Sequence, residues 1–512
     1  MLQQEHSGQN YMVKSTSISV TFPPKARKLI SALSNKSAAT YFVGGVVRDS
    51  LLGIDTDDID VAVGGDARKI AVNAARVLKA VLIDLDSNRG IYRIILPGKE
   101  SFQADFTTAS EGIIADLANR DFTINSIAIN TNSLFESSNG LAFNIDDLID
   151  PHHGAIDIEE GILRVVSETS FLDDPARLIR AVRFMGQLGL AATDETVKSL
   201  RNQCKLIQNV APERVRDEFL KILSLPDSVE MLKFMDKIGL LGKIIPEIEE
   251  TKKVGQPKEH YWDVFNHLIE CVGQLERLFK LSGQESQDIG KYTIEAFQSF
   301  PKFDEHFSQD AGDGHSRLTI CKLACLLHDI SKPQTKSIDA KGRTRFLGHQ
   351  EQGAKISSKI LTRLRMSRRV VSLVTTQVLH HLRPSQMAPE GKLPSQKAIY
   401  RYYRDVGDAS IDTLFLYLAD YMSARGPRLK ESEWIQHCSV VTHILNQGFQ
   451  GETSKFMSRL IDGHDIMDWL SLPPGPQIGH LLSQVEEAQA EGIVKTKEEA
   501  LRFVSKRSKP GE

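Results

Sequence analysis

A compact stretch from Phe42 to Val63, FVGGVVRDSLLGIDTDDIDVAV, constrains the fold more than any other part of this chain. Residues 59–63 are largely β-branched and apolar, which predicts a strand. Residues two apart on a strand point to the same face, so Asp58 and Asp60 are expected to form a pair of carboxylates. Because like charges repel, such a pair favours a cation between its members, and hard oxygen ligands suit Mg²⁺.

The glycine pair Gly44–Gly45 lies between a predicted strand, residues 40–43, and a predicted helix, residues 46–52. Glycines at such a turn let backbone N–H groups approach an anion, and a helix N-terminus favours a phosphate. A phosphate-binding turn beside metal-binding carboxylates indicates nucleotide chemistry. The alternative interpretation is a solvated acidic turn with a capping glycine pair.

The GGVVRD segment at 44–49 and the DID segment at 58–60 resemble the active-site signature of the class II nucleotidyltransferases of the DNA polymerase beta superfamily. These are the tRNA CCA-adding enzymes and the bacterial poly(A) polymerases. The resemblance implies an α+β fold, in which a polymerase-beta-like head with a mixed sheet and helices precedes all-α neck, HD and tail domains. It assigns catalysis to Asp58 and Asp60, and nucleotide binding to Gly44, Gly45 and Arg48.

Length and composition set the limits of this interpretation. A chain of 512 residues is too long for one core, and we expect five parts: a disordered N-terminus at 1–20, the head at 21–145, the neck at 146–250, the HD domain at 255–425 and the tail at 430–512. Apolar runs are too short to span a membrane, and no signal peptide is recognisable, which predicts a cytoplasmic protein. With 63 basic and 66 acidic residues, RNA contacts must come from local patches.

Finer patterns add further expectations. Helical periodicity is predicted for residues 175–189, 192–206, 211–224 and 227–241. A polar insert, residues 282–316, is expected to be mobile. Cys321 and Cys325 lie four apart in an apolar helix, which favours core positions over metal ligation.

Two further segments extend the head. Residues 102–107 read as a strand on which Asp105 is either a third catalytic carboxylate or a strand-edge aspartate. The run DLANRDFTINS at 116–126 resembles the family motif RRDFTINA. The resemblance implies that Arg120 contacts the triphosphate, because guanidinium matches phosphate geometry, and that Asp121 and Asn125 hold the ribose hydroxyls. Asn119 replaces the first arginine of the motif, and helix capping is the alternative for Asp121.

The segment DDPAR at 173–177 opens a predicted helix on which Asp174 and Arg177 share a face. A plain ion pair is one interpretation. The segment also resembles the family EDxxR motif, which implies that these two side chains read the base, with Arg180 and Arg183 binding the nucleotide nearby. A carboxylate accepts from the exocyclic amine of cytosine or adenine, whereas uracil and guanine present a carbonyl oxygen that it repels.

Histidines and aspartates in the third part follow the order H…HD…H…H…D and resemble the HD phosphohydrolase domain. Ligands that converge from several helices predict a site for a divalent transition metal. His381 is an alternative to His380 at the fifth position. The predicted ligands are His267, His328, Asp329, His349, His380 and Asp420.

The connection from Thr108 to Asp116 is short. In CCA-adding members a longer flexible loop at this position helps to switch the pocket from CTP to ATP, so its loss implies C addition with little A addition. The sequence therefore predicts a template-independent nucleotidyltransferase that acts on the 3′ end of tRNA with Mg²⁺ and releases pyrophosphate. It adds C from CTP, and it either adds A from ATP or leaves that step to a partner enzyme. A poly(A) polymerase, or an HD phosphohydrolase with a nucleotide-binding module, are the alternatives; no membrane partner is expected.

Overall fold

The computed structural model describes residues 17–19, 29–30, 32–33, 38–56, 58–97, 102–137, 140–281, 300, 302–388, 392–452 and 459–507. The chain divides into two compact units, Met1–Val210 and Ala211–Glu512. Among the described helices, none is both long and apolar enough to cross a bilayer.

A mixed seven-stranded sheet forms the centre of the first unit, with strand order β10-β7-β2-β3-β6-β5-β4. Strands β3 and β6 are parallel, and the other neighbours are antiparallel. The strands of this sheet are β2 Thr40–Val43, β3 Asp58–Val63, β4 Val81–Asp86, β5 Ile91–Leu96, β6 Phe102–Thr108, β7 Ala128–Asn130 and β10 Leu148–Ile149. The unit's other strands are β1 Ser17–Ser19, β8 Phe135–Ser137, β9 Gly140–Asn144, β11 Ile162–Leu163 and β12 Ala191–Ala192.

Helices cover this sheet and follow it. Asp66 caps the second helix by accepting from the Lys69 N–H, and that helix buries a face of small and branched residues against the sheet core. The core includes Phe42 and Phe106, which are fully buried, so truncating either to alanine should cost roughly 3–5 kcal/mol. The helices are α1 Gly45–Leu52, α2 Ala67–Leu78, α3 Ile113–Ala118, α4 Gly154–Glu159, α5 Ser170–Asp173, α6 Arg177–Leu188 and α7 Asp194–Gln203.

The described part of the second unit is helical apart from two small hairpins. Its helices are α8 Pro212–Leu223, α9 Ser228–Lys237, α10 Leu241–Ile244, α11 Val264–Leu281, α12 Phe303–Ser308, α13 Arg317–Leu327, α14 Lys332–Thr335, α15 His349–Arg363, α16 Arg368–His380, α17 Arg383–Met387, α18 Gln396–Val406, α19 Ser410–Arg425, α20 Glu431–Glu452, α21 Gly463–Leu470, α22 Pro476–Ala490 and α23 Lys497–Arg507. The hairpins pair β13 Asp310–Gly312 with β14 His315–Ser316 and β15 Lys336–Ile338 with β16 Thr344–Phe346.

The predicted strands at 40–43 and 102–107 and the four predicted helices at 175–241 are present, with ends shifted by a few residues. Two expectations of disorder need correction. Ser17–Ser19 form a strand because their backbone pairs with residues 142–144, and residues 302–316 form α12 and a hairpin. The rest of the predicted disordered N-terminus, residues 1–16 and 20, and of the predicted mobile insert, residues 282–299 and 301, lies outside the described residues. Cys321 and Cys325 are buried within α13, as predicted.

Candidate functional site

Three aspartates lie near one another on one face of the central sheet in the first unit. Asp58 and Asp60 lie two apart on β3, and the parallel register pairs Asp60 with Asp105 on β6. Directly paired residues project from the same face, so the sheet gathers all three. Burial raises the pKa of Asp60 to about 6; Asp58 and Asp105 add to the shift and Arg120 opposes it. Asp60, whose charged form is disfavoured by burial and which has two further carboxylates nearby, fits a cation-binding role.

Arg93 contacts the third of these carboxylates. It is paired with Asp105 across β5 and β6, and its Nε and Nη2 donate to Oδ1 and Oδ2 of Asp105 at 2.6 Å each. The hydrogen bonds to Asp105 raise the pKa of Arg93 further above its usual range. Asp105 therefore lies beside the pair on β3, as predicted, but bound to a guanidinium.

Gly44 makes room for Arg120. The residue has φ 69°, and a Cβ at this position would overlap the Arg120 guanidinium and lie 3.4 Å from Oδ2 of Asp60. The Gly44 N–H donates to the Ile127 carbonyl at 3.1 Å, so this donor is used within the protein and not by an anion. Helix α1 begins at the next residue, Gly45. Arg120 also donates to Asp116 at 3.0 Å. The glycine thus permits a guanidinium to lie beside the carboxylates.

Four of the predicted nucleotide-binding side chains form one hydrogen-bonded chain. Arg48 donates to Asn125 at 2.6 Å, Asn125 donates to Asp121 at 2.9 Å, and Arg180 donates to Asp121 at 2.7 and 3.0 Å. Burial opposes ionisation of Asp121, but Arg180 and Asn125 outweigh it and hold its pKa below the usual range. The chain fixes the motif of residues 116–126 against α1 and α6. Nucleotide contact by these residues stays a prediction.

The start of α6 holds the residues predicted to read the base. Arg177 donates through Nη2 to the Asn119 carbonyl at 2.6 Å and through Nη1 to the Ser170 hydroxyl at 3.0 Å. Asp174 accepts from the Ala176 N–H at 3.2 Å. Arg183 lies over the Phe184 ring, 4.0 Å from its centroid. Hydrogen bonds therefore hold the Arg177 side chain against residues 119 and 170, and base reading by Asp174 and Arg177 stays a prediction.

The second unit brings the predicted histidines and aspartates together. Ligand atoms of His267, His328, Asp329 and Asp420 lie within 4.8 Å of one another, and Asp329, His349 and His381 form a second such group. Oδ2 of Asp329 lies 3.4 and 3.3 Å from Nε2 of His267 and His328. Its Oδ1 lies 3.4 and 3.7 Å from Nε2 of His349 and His381. The two oxygens of one carboxylate thus face two sets of imidazoles, a geometry that fits a pair of cations.

Hydrogen bonds orient these imidazoles for metal binding. Nδ1 of His328, His349 and His381 lies 2.8, 2.6 and 2.7 Å from a backbone carbonyl three residues earlier in each case. A ring that donates from Nδ1 presents the lone pair of Nε2 to the centre. Nε2 of His349 and Oδ1 of Asp329 are buried and have no hydrogen-bond partner among the described residues, as expected of metal ligands. The residues present therefore fit divalent cations.

The predicted fifth ligand needs correction. His380, at the end of α16, is half-buried and belongs to neither group, whereas the alternative His381 is buried and belongs to the second. Consecutive residues point in different directions, and only the ring at 381 faces the centre. Burial and the nearby His328 lower the pKa of His381 to about 3, so its ring is neutral and able to ligate.

Three side chains were not singled out from the sequence. Arg93 binds Asp105, Lys332 forms an ion pair with Asp329, and His260 packs edge-on against His267 with ring centroids 5.5 Å apart. Lys332 is three residues after Asp329, a spacing that predicts contact on a helix. The other two contacts depend on tertiary pairing that local patterns do not encode.

Comparison with known proteins agrees with this geometry. Family models match residues 40–164 as the poly(A) polymerase head domain, 189–252 as an RNA- and SrmB-binding site of polymerase A, 264–425 as an HD domain and 453–504 as domain 2 of tRNA nucleotidyltransferases. The match to the poly(A) polymerase head domain, together with the aspartates on its sheet, defines the protein as a nucleotidyltransferase.

The curated relatives are similar along nearly their whole length. An A-adding tRNA nucleotidyltransferase of Deinococcus radiodurans is 30% identical over 91% of this chain and 94% of its own. A CC-adding tRNA nucleotidyltransferase of Thermus thermophilus is 29% identical over 90% and 92%. The chain belongs to the tRNA nucleotidyltransferase family.

Solved structures share the fold. A CCA-adding enzyme in complex with ATP has a TM-score of 0.60 at 20% identity and covers 95% of this chain and 96% of that one. The Thermotoga maritima CCA-adding enzyme in complex with tRNA has a TM-score of 0.56 at 21% identity, with the same coverage. The predicted head followed by helical domains is thereby confirmed.

Proposed function

We propose that this enzyme adds C to the 3′ end of tRNA from CTP, releases pyrophosphate, and adds the terminal A poorly or not at all. The connection between β6 and α3 carries the proposal. It consists of residues 109–112, and it is held by hydrogen bonds from the Ala109 N–H to the Val63 carbonyl at 2.9 Å and from the Gly112 N–H to the Ala109 carbonyl at 3.1 Å.

A short, fixed connection limits what the pocket accepts. Arg177 is likewise held by Asn119 and Ser170, so the side chain proposed to read the base has one position. Cytosine and adenine differ by a whole ring, and a pocket must change shape to take one after the other. With a short connection and a held Arg177, a single base is the better fit. CC-adding relatives of Thermus thermophilus and Geobacter sulfurreducens are 29% and 28% identical to this chain, and the A-adding relative of Deinococcus radiodurans is 30% identical, so the choice of C rests on the connection and not on these relatives.

The chemistry uses groups at the sheet centre. Asp58 and Asp60 would hold Mg²⁺, which when bound activates the attacking hydroxyl and neutralises charge on the phosphates. Arg120 lies beside Asp60 and donates to triphosphate oxygens. The buried chain from Arg48 to Arg180 keeps Asp121 and Asn125 in place for the ribose. Asp174 accepts from the exocyclic amine of cytosine and repels the carbonyl of uracil.

The HD cluster forms a second site for divalent transition metals. Its four imidazoles and two carboxylates are a donor set that suits such ions better than Mg²⁺. Lys332, paired with Asp329, adds positive charge beside the cluster and favours an anionic substrate. Hydrolysis of a phosphoester or a cyclic phosphate is the proposed activity. The cytoplasmic location stays a prediction from the sequence.

Nucleotide addition to defined tRNA ends tests the proposal. Purified enzyme is incubated with tRNA truncated before the first C, after the first C or after the second C, each with CTP alone or ATP alone. We expect rapid addition of two C residues and negligible A addition to the CC end. Rapid addition of a single A to that end would restore full CCA synthesis, and long A tracts would indicate a poly(A) polymerase.

A further inference from the structure

Arg93 lies in a row of paired residues that crosses the sheet at the proposed active site. Asp60 on β3 pairs with Asp105 on β6, and Asp105 pairs with Arg93 on β5. Neighbouring strands are roughly 4.8 Å apart, so the three charged groups lie side by side on one face. Arg93 therefore reaches Asp105 from the side opposite to Asp60.

The contact between Arg93 and Asp105 is a two-point ion pair. Both oxygens of the carboxylate accept a 2.6 Å hydrogen bond from the guanidinium, and the two side chains are 29% and 19% exposed. This geometry fixes the orientation of the carboxylate as well as balancing its charge. Arg120, in contrast, lies near Asp60 and Gly44. Arg93 and Arg120 therefore lie beside different carboxylates, Asp105 and Asp60.

We propose that Arg93 is a positioning residue that withholds Asp105 from the metal centre, so that Asp58 and Asp60 alone bind the cation. The inference rests on the proposed metal role of those two residues. Two carboxylates balance one divalent cation, whereas a third free carboxylate leaves excess negative charge that repels the incoming triphosphate. The ion pair thus weakens cation binding in the free enzyme and favours nucleotide binding.

Mg²⁺ binding to the nucleotide-free enzyme, measured by calorimetry, tests the proposal. Arg93→Met frees Asp105, so we expect about ten-fold tighter Mg²⁺ binding, together with a higher KM for CTP and a smaller change in kcat. The double variant Arg93→Met/Asp105→Asn carries the same net charge as the original pair and should bind Mg²⁺ with unchanged affinity. Arg89→Met removes a charge from the exposed turn before β5 and serves as the control.

The outcomes separate this proposal from the function on which it rests. If the double variant binds Mg²⁺ about ten-fold more weakly than the native enzyme, Asp105 is a ligand already and the proposal is wrong. Unchanged affinity in Arg93→Met also overturns it. Asp60→Asn defines the binding that belongs to this centre, and no loss of Mg²⁺ binding in that variant contradicts the metal role itself. Arg93→Lys keeps the charge but loses the two-point contact, so it should give an intermediate affinity if Arg93→Met fails to fold.

Discussion

Asp58 and Asp60 are single residues that lower the stability of the fold and supply the proposed metal-binding groups. Both lie on one face of β3, and Asp60 is sufficiently buried that its pKa is raised to about 6. Above that pH the ionised carboxylates repel each other, and the fold bears this cost. A site that destabilises its own protein in this way is typical of a functional centre.

Asp60→Ala should abolish nucleotide addition, by about 100-fold or more, because half of the proposed metal-binding pair is lost. The thermal midpoint should not fall, since the substitution relieves repulsion with Asp58. Single-turnover incorporation of radiolabelled CTP and a thermal melt provide the two measurements. Asp84→Ala, on the exposed edge strand β4 of the same sheet, is the control, and near-native turnover by the Asp60 variant would remove the residue from the mechanism.

Asp174→Ala should relax the choice of base more than it slows the reaction. The proposed hydrogen bond to the cytosine amine is worth roughly 1–3 kcal/mol of discrimination, so the preference for CTP over UTP should shrink accordingly. Relative kcat/KM values for the four nucleotides measure the effect. The neighbouring Asp173→Ala, which removes a side chain bonded to Thr169, should leave the preference intact. An equal loss of rate with every nucleotide would mean that Asp174 is structural.

At the scale of elements, the end of α16 decides which histidine joins the HD cluster. The helix ends at His380, and the Nδ1 of His381 bonds back to the Val378 carbonyl, which directs the other ring nitrogen towards Asp329. His381 keeps helical φ and ψ, −58° and −31°, and successive residues of a helix point about 100° apart. The sequence therefore leaves two candidates open, and the direction of each side chain selects between them.

The adjacent histidines form a matched pair of variants. His381→Ala should lower the metal content of protein loaded with Mn²⁺, Ni²⁺ or Co²⁺ and abolish any hydrolysis of 2′,3′-cyclic nucleotides, because it removes a ligand. His380→Ala should retain both, and CTP addition should be unchanged in either variant. Elemental analysis and product chromatography report the results. Equal metal loss in the two variants would contradict the assignment of position 381.

Local sequence patterns predict the secondary-structure elements better than they predict the tertiary contacts. The strand at 40–43 and the helix at 177–188 follow from short runs of residues whose periodicity is complete in itself. The bond between Arg48 and Asn125 joins residues 77 apart, and the pair Arg93–Asp105 depends on strand register. Neither is encoded by spacing alone. The sequence predicts a turn at Gly44, but the space that this glycine leaves for Arg120 depends on the tertiary contact with the motif at 116–126, which local spacing does not encode.

At the scale of the whole molecule, the two proposed metal sites lie in two compact units, Met1–Val210 and Ala211–Glu512. The proposed site in the first unit offers the carboxylates of Asp58 and Asp60, and the cluster in the second unit combines imidazoles with carboxylates. Hard cations such as Mg²⁺ prefer the carboxylate set, and borderline transition-metal cations prefer the set that contains imidazoles. The predicted division into head, neck, HD domain and tail stays a prediction within this arrangement.

Chelators should separate the two sites. Treatment with 1,10-phenanthroline, which prefers transition metals, should remove the HD metal and stop phosphoester hydrolysis while leaving CTP addition in Mg²⁺ intact. EDTA should stop both activities, and excess Mg²⁺ should then restore only nucleotide addition. Assaying both reactions on the same treated sample supplies the measurement. Loss of CTP addition with phenanthroline in the presence of Mg²⁺ would contradict independent metal sites.

The hydrogen bond from Arg177 to the Asn119 carbonyl affects which amino acids position 119 can accept. The acceptor is a main-chain oxygen, which every amino acid supplies, so selection for this contact places no constraint on the side chain at 119. The asparagine side chain there instead donates to the Ala115 carbonyl within α3. Replacement of the usual arginine is therefore neutral for the contact made by Arg177. A motif search that demands arginine at this position would overlook enzymes in which the architecture is preserved.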